Sequence, residues 1–469
     1  MHGPAPTSCR VALAAGSILL CLAMAQGQPT PPISPQIEEL PLPPLIELPG
    51  PENVPADVPN RPLTAEEAAA IALHYQPVVS AANAGLSAAA ARLQQAQAGL
   101  RPSLAVGGSV AHVHTDAVGG GSAPGAGPEG FQVSATLRQL VYDFSHTRDL
   151  VRQASARQRS AGASLTAVQA DLVFRVKLAF YVYLQNTRMV QVSESTLRNQ
   201  QGHLALAQAR LNSGLGLPLD VVRAETAYAQ AIYGLTVARN YASLARVNLA
   251  ELMGIDPRTP IEPAEGGEPA PAADDVNWLL EQGLTQRPEM VQAVADVDAA
   301  AYGEMAARTG NSPAFVGSLG LQRRGEDFPP NDNAVSIGVA VQWNPFDSGL
   351  TAGRIKEAQA NLQVAQAAMA SVRLAVMSDV SQAYLNLKAA EQGVVAAEAQ
   401  VKNAQEALRL AEGRYRAGIG VFLDVLDAQT ALDTAHTNRV NAASSLDQAR
   451  AALSYAVGED TTTPVTLQP

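Results

Sequence analysis

The stretch beginning at Arg414, RYRAGIGVFLDVLDAQTAL, restates one that begins at Arg210, RLNSGLGLPLDVVRAETAY. Gly214 corresponds to Gly418, Gly216 to Gly420, Leu219 to Leu423, Asp220 to Asp424, Val221 to Val425, Ala224 to Ala428 and Thr226 to Thr430, each pair displaced by the same 204 residues. Upstream, Tyr142-Asp143 faces Phe346-Asp347 at that spacing and Pro77 faces Pro288 at 211, so the first copy holds a longer loop, HTDAVGGGSAPGAGPEG against RRGEDFPPNDN. A tandem duplication obliges the fold to build one structural unit twice. The copies span 63–254 and 275–458, joined by a Pro/Gly/Ala-rich linker at 255–274 and followed by a tail at 459–469.

Each copy has the same internal order. A helical segment of roughly 40 residues leads to a strand, a loop and a second strand; a much longer helix then runs to the repeated turn, and a last helix returns. In the second copy Val380, Leu387, Val394, Val401, Leu408 and Tyr415 recur every seven residues, with Ala383, Ala390, Ala397, Ala404 and Ala411 between them. The first copy keeps the large series as Val176, Tyr183, Val190, Leu197, Leu204 and Leu211. Large residues alternating with alanine on one stripe suit closely packed coiled coils. A proline-free helix from 145 to 213 would be roughly 100 Å long at ~1.5 Å per residue. Taken alone, that pattern describes a structural rod.

The strands ask for more. In AVSIGVAVQW, Val335, Ile337, Val339, Val341 and Trp343 share one face and Ser336, Gly338, Ala340 and Gln342 the other; FQVSATLRQL alternates likewise, as do SLAVGGSVAH and FVGSLGLQ more weakly. Such alternation fits a sheet with one face on a soluble core. About ten residues is also the length of a tilted strand crossing a bilayer, apolar side outward. Four strands cannot close a barrel, and open edges are not tolerated in lipid. Membrane-spanning strands would therefore require several chains to share one barrel, each giving two hairpins.

The N-terminus reads as an export leader over 1–25. Arg10 precedes an apolar run that ends in the small-x-small pattern Ala23-Met24-Ala25. Both cysteines, Cys9 and Cys21, fall inside it, so the mature chain would have neither disulfides nor thiol chemistry. Leu20 stands where a bacterial lipoprotein has a small residue, which argues against a lipid on Cys21. A proline-rich arm, 26–62, follows as an extended or disordered segment. The formal net charge of −11 argues against a nucleic-acid partner.

With these features in place the chain resembles the TolC-like outer-membrane efflux channels. The resemblance rests on the duplication, on WNPFDSGLTAGRIKEAQA after the fourth strand, on Pro77 and Pro288, and on the two R-x-x-x-G…D-V turns. It implies a mainly α fold with a small β part: long antiparallel coiled coils plus four transmembrane β-strands per chain. Three chains would form a trimeric 12-stranded barrel in outer-membrane lipid, continued by an α-helical periplasmic tunnel. The implied function is a passive exit duct of a tripartite efflux or type I secretion system, with no enzymatic activity and no cofactor. Its partners would be an inner-membrane pump and a periplasmic membrane-fusion adaptor. Two other readings stand beside it: a periplasmic adaptor, which normally carries one hairpin inside lipoyl-like domains, and a coiled-coil envelope rod, which leaves the strands unexplained.

The repeated turns then acquire roles. Gly214 and Gly418 supply backbone freedom where the chain reverses. Asp220 and Asp424 lie early in the returning helices, where a carboxylate complements the dipole. Asp427 sits one turn beyond Asp424 on the same face, and its counterpart in the first copy is Arg223. The resemblance places Asp424, Asp427, Asp220, Arg223 and Tyr415 at the tunnel constriction, and adaptor docking at Gly214, Leu215, Gly418 and Ile419. Gly420 replaces a charged gate residue of the family's best-known member, so the closing network differs here. His112 and His114, near Asp116, alternate on a strand end beside a loop and read as solvated rather than metal-binding; Gly119–Gly121 lacks the lysine and helix of a phosphate loop.

Overall fold

The structure, a computed structural model, describes residues 61–111, 130–269, 274–325 and 328–459. The leader, the arm up to Asn60, His112, His114, Asp116, Gly119–Gly121 and the tail beyond Glu459 lie outside the described residues. Twelve elements follow in order: α1 (Ala65–Tyr75), α2 (Pro77–Ala98), β1 (Ser103–Ala111), β2 (Gly130–Tyr142), α3 (His146–Asn212), α4 (Pro218–Met253), α5 (Val276–Gln286), α6 (Pro288–Thr309), β3 (Ala314–Gly325), β4 (Asp332–Gln342), α7 (Leu350–Arg416) and α8 (Phe422–Val457). The second six repeat the first six, helix for helix in length: 11, 22, 67 and 36 residues in each half.

The opening helical segment of each half is two helices, not one. Gln76 and Arg287 adopt extended backbone, ψ 121° and 128°, immediately before Pro77 and Pro288. A proline ring excludes the α region for the residue before it, so the helix breaks there and restarts with proline at its first position. Thr64 and Glu67 close a reciprocal capping box at the start of α1, the Thr64 amide donating to the Glu67 carboxylate at 3.0 Å.

The long helices form the body. Their heptad residues face inward: Val176, Tyr183, Leu197 and Leu204 are buried on α3, as are Val380, Leu387, Val401 and Tyr415 on α7. Near the sheet α3 packs against α2 and α6, with an Arg159–Asp298 ion pair at 3.0 Å; farther down it packs against α4 and α8. Half-way along, the described linker residues 255–269 pack across the helices as a strap. Ile255 and Ile261 join a core with α1, the middle of α3 and the end of α4. Glu268 is buried and accepts from Lys177 Nζ and the Tyr181 hydroxyl, both at 2.7 Å, while its carbonyl accepts from Arg450 at 3.0 Å. The Tyr183 hydroxyl donates to the Ile261 carbonyl at 2.7 Å.

The two hairpins join into one antiparallel sheet in the order β1-β2-β3-β4. Its register sorts the side chains into rows. Leu104, Leu137, Leu319 and Ile337 form one row across all four strands, and Val106, Ala135, Leu321 and Val335 the next. The opposite face reads Ser103-Arg138-Ser318-Gly338, Ala105-Thr136-Gly320-Ser336 and Gly107-Ser134-Gln322-Ala334. One face is thus apolar and the other small and polar, and the apolar side chains are exposed. β1 and β4 are open edges in the single chain.

The second strand of each hairpin, β2 and β4, hands over to its long helix through the same device. The Asp143 carboxylate accepts from the Thr147 amide at 2.8 Å, and Asp347 accepts from Thr351 at 2.8 Å and Gly349 at 3.1 Å. Between carboxylate and helix the backbone turns left-handed at Phe144 and Ser145, and at Ser348 and Gly349.

Candidate functional site: the helix tips

The repeated turns close the ends of the coiled coils farthest from the sheet. In the first, the Leu215 and Gly216 amides both donate to the Arg210 carbonyl at 2.9 Å; in the second, Ile419 and Gly420 donate to the Arg414 carbonyl at 3.1 Å. Gly214 and Gly418 sit at φ +73° and +76°, backbone that L side chains rarely adopt. The chain reverses so tightly that Leu215 and Ile419 are thrust outward, each 74% exposed. Leu217, Leu219, Val421 and Leu423 extend this exposed apolar surface.

The residues expected at the constriction separate into two groups. Asp424 and Asp427 are exposed on the first turns of α8. Arg223 is half-buried on α4 and lines, with Asp427, an open groove of about 690 Å³ floored by α3. Among the described residues no hydrogen bond or ion pair joins Arg223 to Asp427 within one chain. Asp220, by contrast, is only 9% exposed and Tyr415 only 4%. Tyr415 lies in a small core with Leu204, Val221, Phe422 and Val425, with buried Asp220 close by. The Tyr415 ring packs 5.3 Å from Phe422. Burial and then the Asp220 carboxylate push its phenol above the usual range, against a smaller opposing pull from Arg210.

Arg210 is a residue sequence reasoning did not single out. Its guanidinium lies 4.4 Å from the centre of the Tyr415 ring, and Nη1 donates to the Tyr415 carbonyl at 2.6 Å. It thereby ties the end of α3 to the end of α7, between positions 205 apart in the chain. The Arg-x-x-x-Gly motif contained the clue, since Arg210 and Arg414 occupy equivalent places and only one of them turns inward to the partner hairpin. Among the described residues there is no cluster of acidic, histidine or cysteine side chains fit for a metal, and no helix long and apolar enough to cross a membrane.

Comparison with known proteins bears directly on this arrangement. Residues 69–255 and 279–459 match the family described as outer membrane efflux protein, once for each half. The chain belongs to the outer membrane efflux protein family. It is 27% identical to protein CyaE of Bordetella pertussis over 84% of this chain and 83% of that protein. It is 24% identical to outer membrane protein TolC of Escherichia coli over 78% of this chain and 76% of that one. Its fold superposes on the outer membrane protein VceC of Vibrio cholerae with a TM-score of 0.75 at 22% identity, covering 84% of this chain and 96% of that one. This efflux protein is accordingly an outer-membrane exit channel, a transport duct and not an enzyme, with its helical part in the periplasm. Like its family it works with pumps and adaptors.

Proposed function

We propose that three copies of this chain share one twelve-stranded barrel and that their helices form a closed-ended tunnel whose mouth is ringed by Asp424 and Asp427. The observation that carries this reading is the sheet: through its middle, apolar and polar rows alternate across all four strands, and both edges are left open. An open edge in hydrocarbon leaves backbone groups unpaired at several kcal/mol each. Pairing β4 of one chain with β1 of the next removes every edge. Cleavage after Ala25 would deliver the mature chain, arm 26–62 preceding the repeats at 63–254 and 275–458, which the 255–274 segment joins ahead of the 459–469 tail.

The tips give the duct its entrance. The exposed apolar surface around Gly214, Leu215, Gly418 and Ile419 suits docking of a periplasmic membrane-fusion adaptor, which couples the duct to an inner-membrane pump of an efflux or type I secretion assembly. Asp220 and Tyr415, inside the tip, hold its two hairpins in register, and Arg223 offers a cation to Asp427 across the groove. Native mass in mild detergent tests the assembly: a three-chain particle is expected, and a water-soluble single chain would overturn the reading. In planar bilayers Asp424→Ala with Asp427→Ala should weaken cation preference; unchanged selectivity would remove the carboxylates from the constriction.

A further inference from the structure

The polar face of the sheet is built mainly from Gly, Ala, Ser, Thr and Gln, with one apolar row, Leu140-Val316-Ala340, at its helix-side end. Three of its residues are charged. Arg324 and Asp332 are direct register partners at the far end, where opposite signs face each other. Arg138 stands alone, roughly 20 Å away at ~3.4 Å per residue. It is exposed, and among the described residues it makes neither a hydrogen bond nor an ion pair. Its cross-strand partners are two hydroxyl residues, Ser103 on β1 and Ser318 on β3, with Gly338 beyond. Thr136 follows on the same face of β2.

We propose that Arg138, flanked by Ser103 and Ser318, is an oxyanion station in the barrel wall that binds and selects anionic cargo carrying carboxylate or phosphate groups. The proposal rests on the shared-barrel reading above, which turns this face to the lumen and repeats Arg138 three times around it. A guanidinium stays charged at any physiological pH and presents a planar fork of N–H donors matched to an oxyanion. Adjacent hydroxyls can donate to a remaining oxygen or accept a proton from a partly protonated one. Twelve tilted strands enclose a lumen roughly 24 Å across between backbones. Among the small side chains of its own row and the next, Ser103, Ser318, Gly338 and Thr136, Arg138 reaches furthest inward. Low-dielectric surroundings focus the field of like charges lining an aqueous passage, so three guanidiniums in one ring attract anions more strongly than three on an open surface. Arg324 adds little to that field, because Asp332 opposes it. Cargo therefore meets carboxylates at the helix tips and cations in the barrel, so the duct discriminates by charge at two stations of opposite sign.

The test uses the assembled protein in planar lipid bilayers, with inorganic tripolyphosphate added on the barrel side. Block of the wild-type current is expected, with the blocking concentration raised about tenfold or more in Arg138→Ala and largely restored in Arg138→Lys. Equal block of wild type and Arg138→Ala would overturn the proposal. A second measurement separates it from the barrel reading. Both cysteines of the chain lie at 9 and 21, inside the leader, so single cysteines can be placed at will. A membrane-impermeant maleimide should modify Arg138→Cys and spare Leu137→Cys. If Leu137→Cys reacts and Arg138→Cys does not, the face assignment falls and the station with it. If Arg138→Cys alone reacts while block is insensitive to Arg138, only the station falls.

Discussion

A methyl group added at Gly216 would lie 2.7 Å from the Leu211 backbone nitrogen, and one at Gly420 would lie 3.0 Å from the Arg414 Cβ. Backbone therefore closes the tips against backbone, leaving the side chains of the turn free to face outward. Beside the apolar core that the two tips share, one long side chain ties one closed tip to the other. Arg210 donates to the Tyr415 carbonyl and covers its ring, both from α3 toward α7. A charged hydrogen bond and a cation–π contact in a half-buried place together stabilise by about 2 kcal/mol. Arg210→Ala should accordingly speed amide hydrogen exchange across 411–425 and raise the resting conductance of the reconstituted duct. Unchanged protection there would mean that the tips are held by packing alone. Arg210→Lys would restore the charge without the planar fork, so partial recovery is the expected outcome.

Among the elements, the seams differ in kind. The α3–α4 seam is apolar where Leu197 meets Ala231, Ile232 and Leu235. The α3–α8 seam is largely polar. Gln185 donates to Asn441 at 2.8 Å, Ser444 donates to Gln185 at 3.2 Å, His203 lies 3.4 Å from Gln429, and Gln429 donates to Asp433 at 2.8 Å. Beside this network, burial and then Arg439 hold the His436 imidazole below its ordinary 6.5, against the pull of Asp433. Burial pushes the Asp433 carboxyl above its ordinary 3.8, against hydrogen bonds from Gln429 and Thr196 and the charges of His436 and His203. The signs oppose. A depressed histidine contributes stability that is present above its unfolded value and lost as pH falls from about 6.5 toward the folded value. A raised carboxyl instead gains stability for the fold as pH falls through its folded value toward 3.8. The melting temperature should therefore dip on the first part of an acid titration, and His436→Gln should flatten that dip. Identical profiles for wild type and variant would show that the seam does not titrate through His436.

The elements were unequally legible. Seven-residue spacing of large residues disclosed α3 and α7 because a helix must bury one stripe along its whole length. The strands were legible from strict alternation, although pairing of β2 with β3 between the two copies was not, since register between hairpins leaves no local mark. The breaks before Pro77 and Pro288 were in plain view but masked by the helical pattern that resumes directly after each proline. The packing of the linker as a strap was not legible, because prolines and glycines dominate its composition. Ile261 and Glu268 gain much of their burial from α1, α3 and α8, helices far away in the chain. The tip turns were readable from the repeated glycines, whereas the Arg210–Tyr415 contact depends on how two hairpins lie side by side.

At the scale of the whole molecule, α7 shows an exposed apolar stripe through Val364, Leu374, Leu385 and Val395. A single chain has no use for it, and exposed apolar surface of this extent on a long helix marks contact with another chain. Leu374→Glu with Leu385→Glu should convert the proposed three-chain particle to single chains in detergent while leaving the helical circular-dichroism signal intact. A trimer of undiminished stability would place the contact between chains on other helices. The strap at mid-height bears on the same assembly. From Tyr183, where it grips α3, to the tip at Asn212 the helix runs roughly 45 Å at ~1.5 Å per residue. Everything below the grip is a lever with its fulcrum at the strap. A tilt of ten degrees there, small enough for side chains to absorb, carries the tip about 8 Å sideways by that length. Opening the mouth thus requires little distortion at the fulcrum, and the leverage grows with every turn of helix between strap and tip.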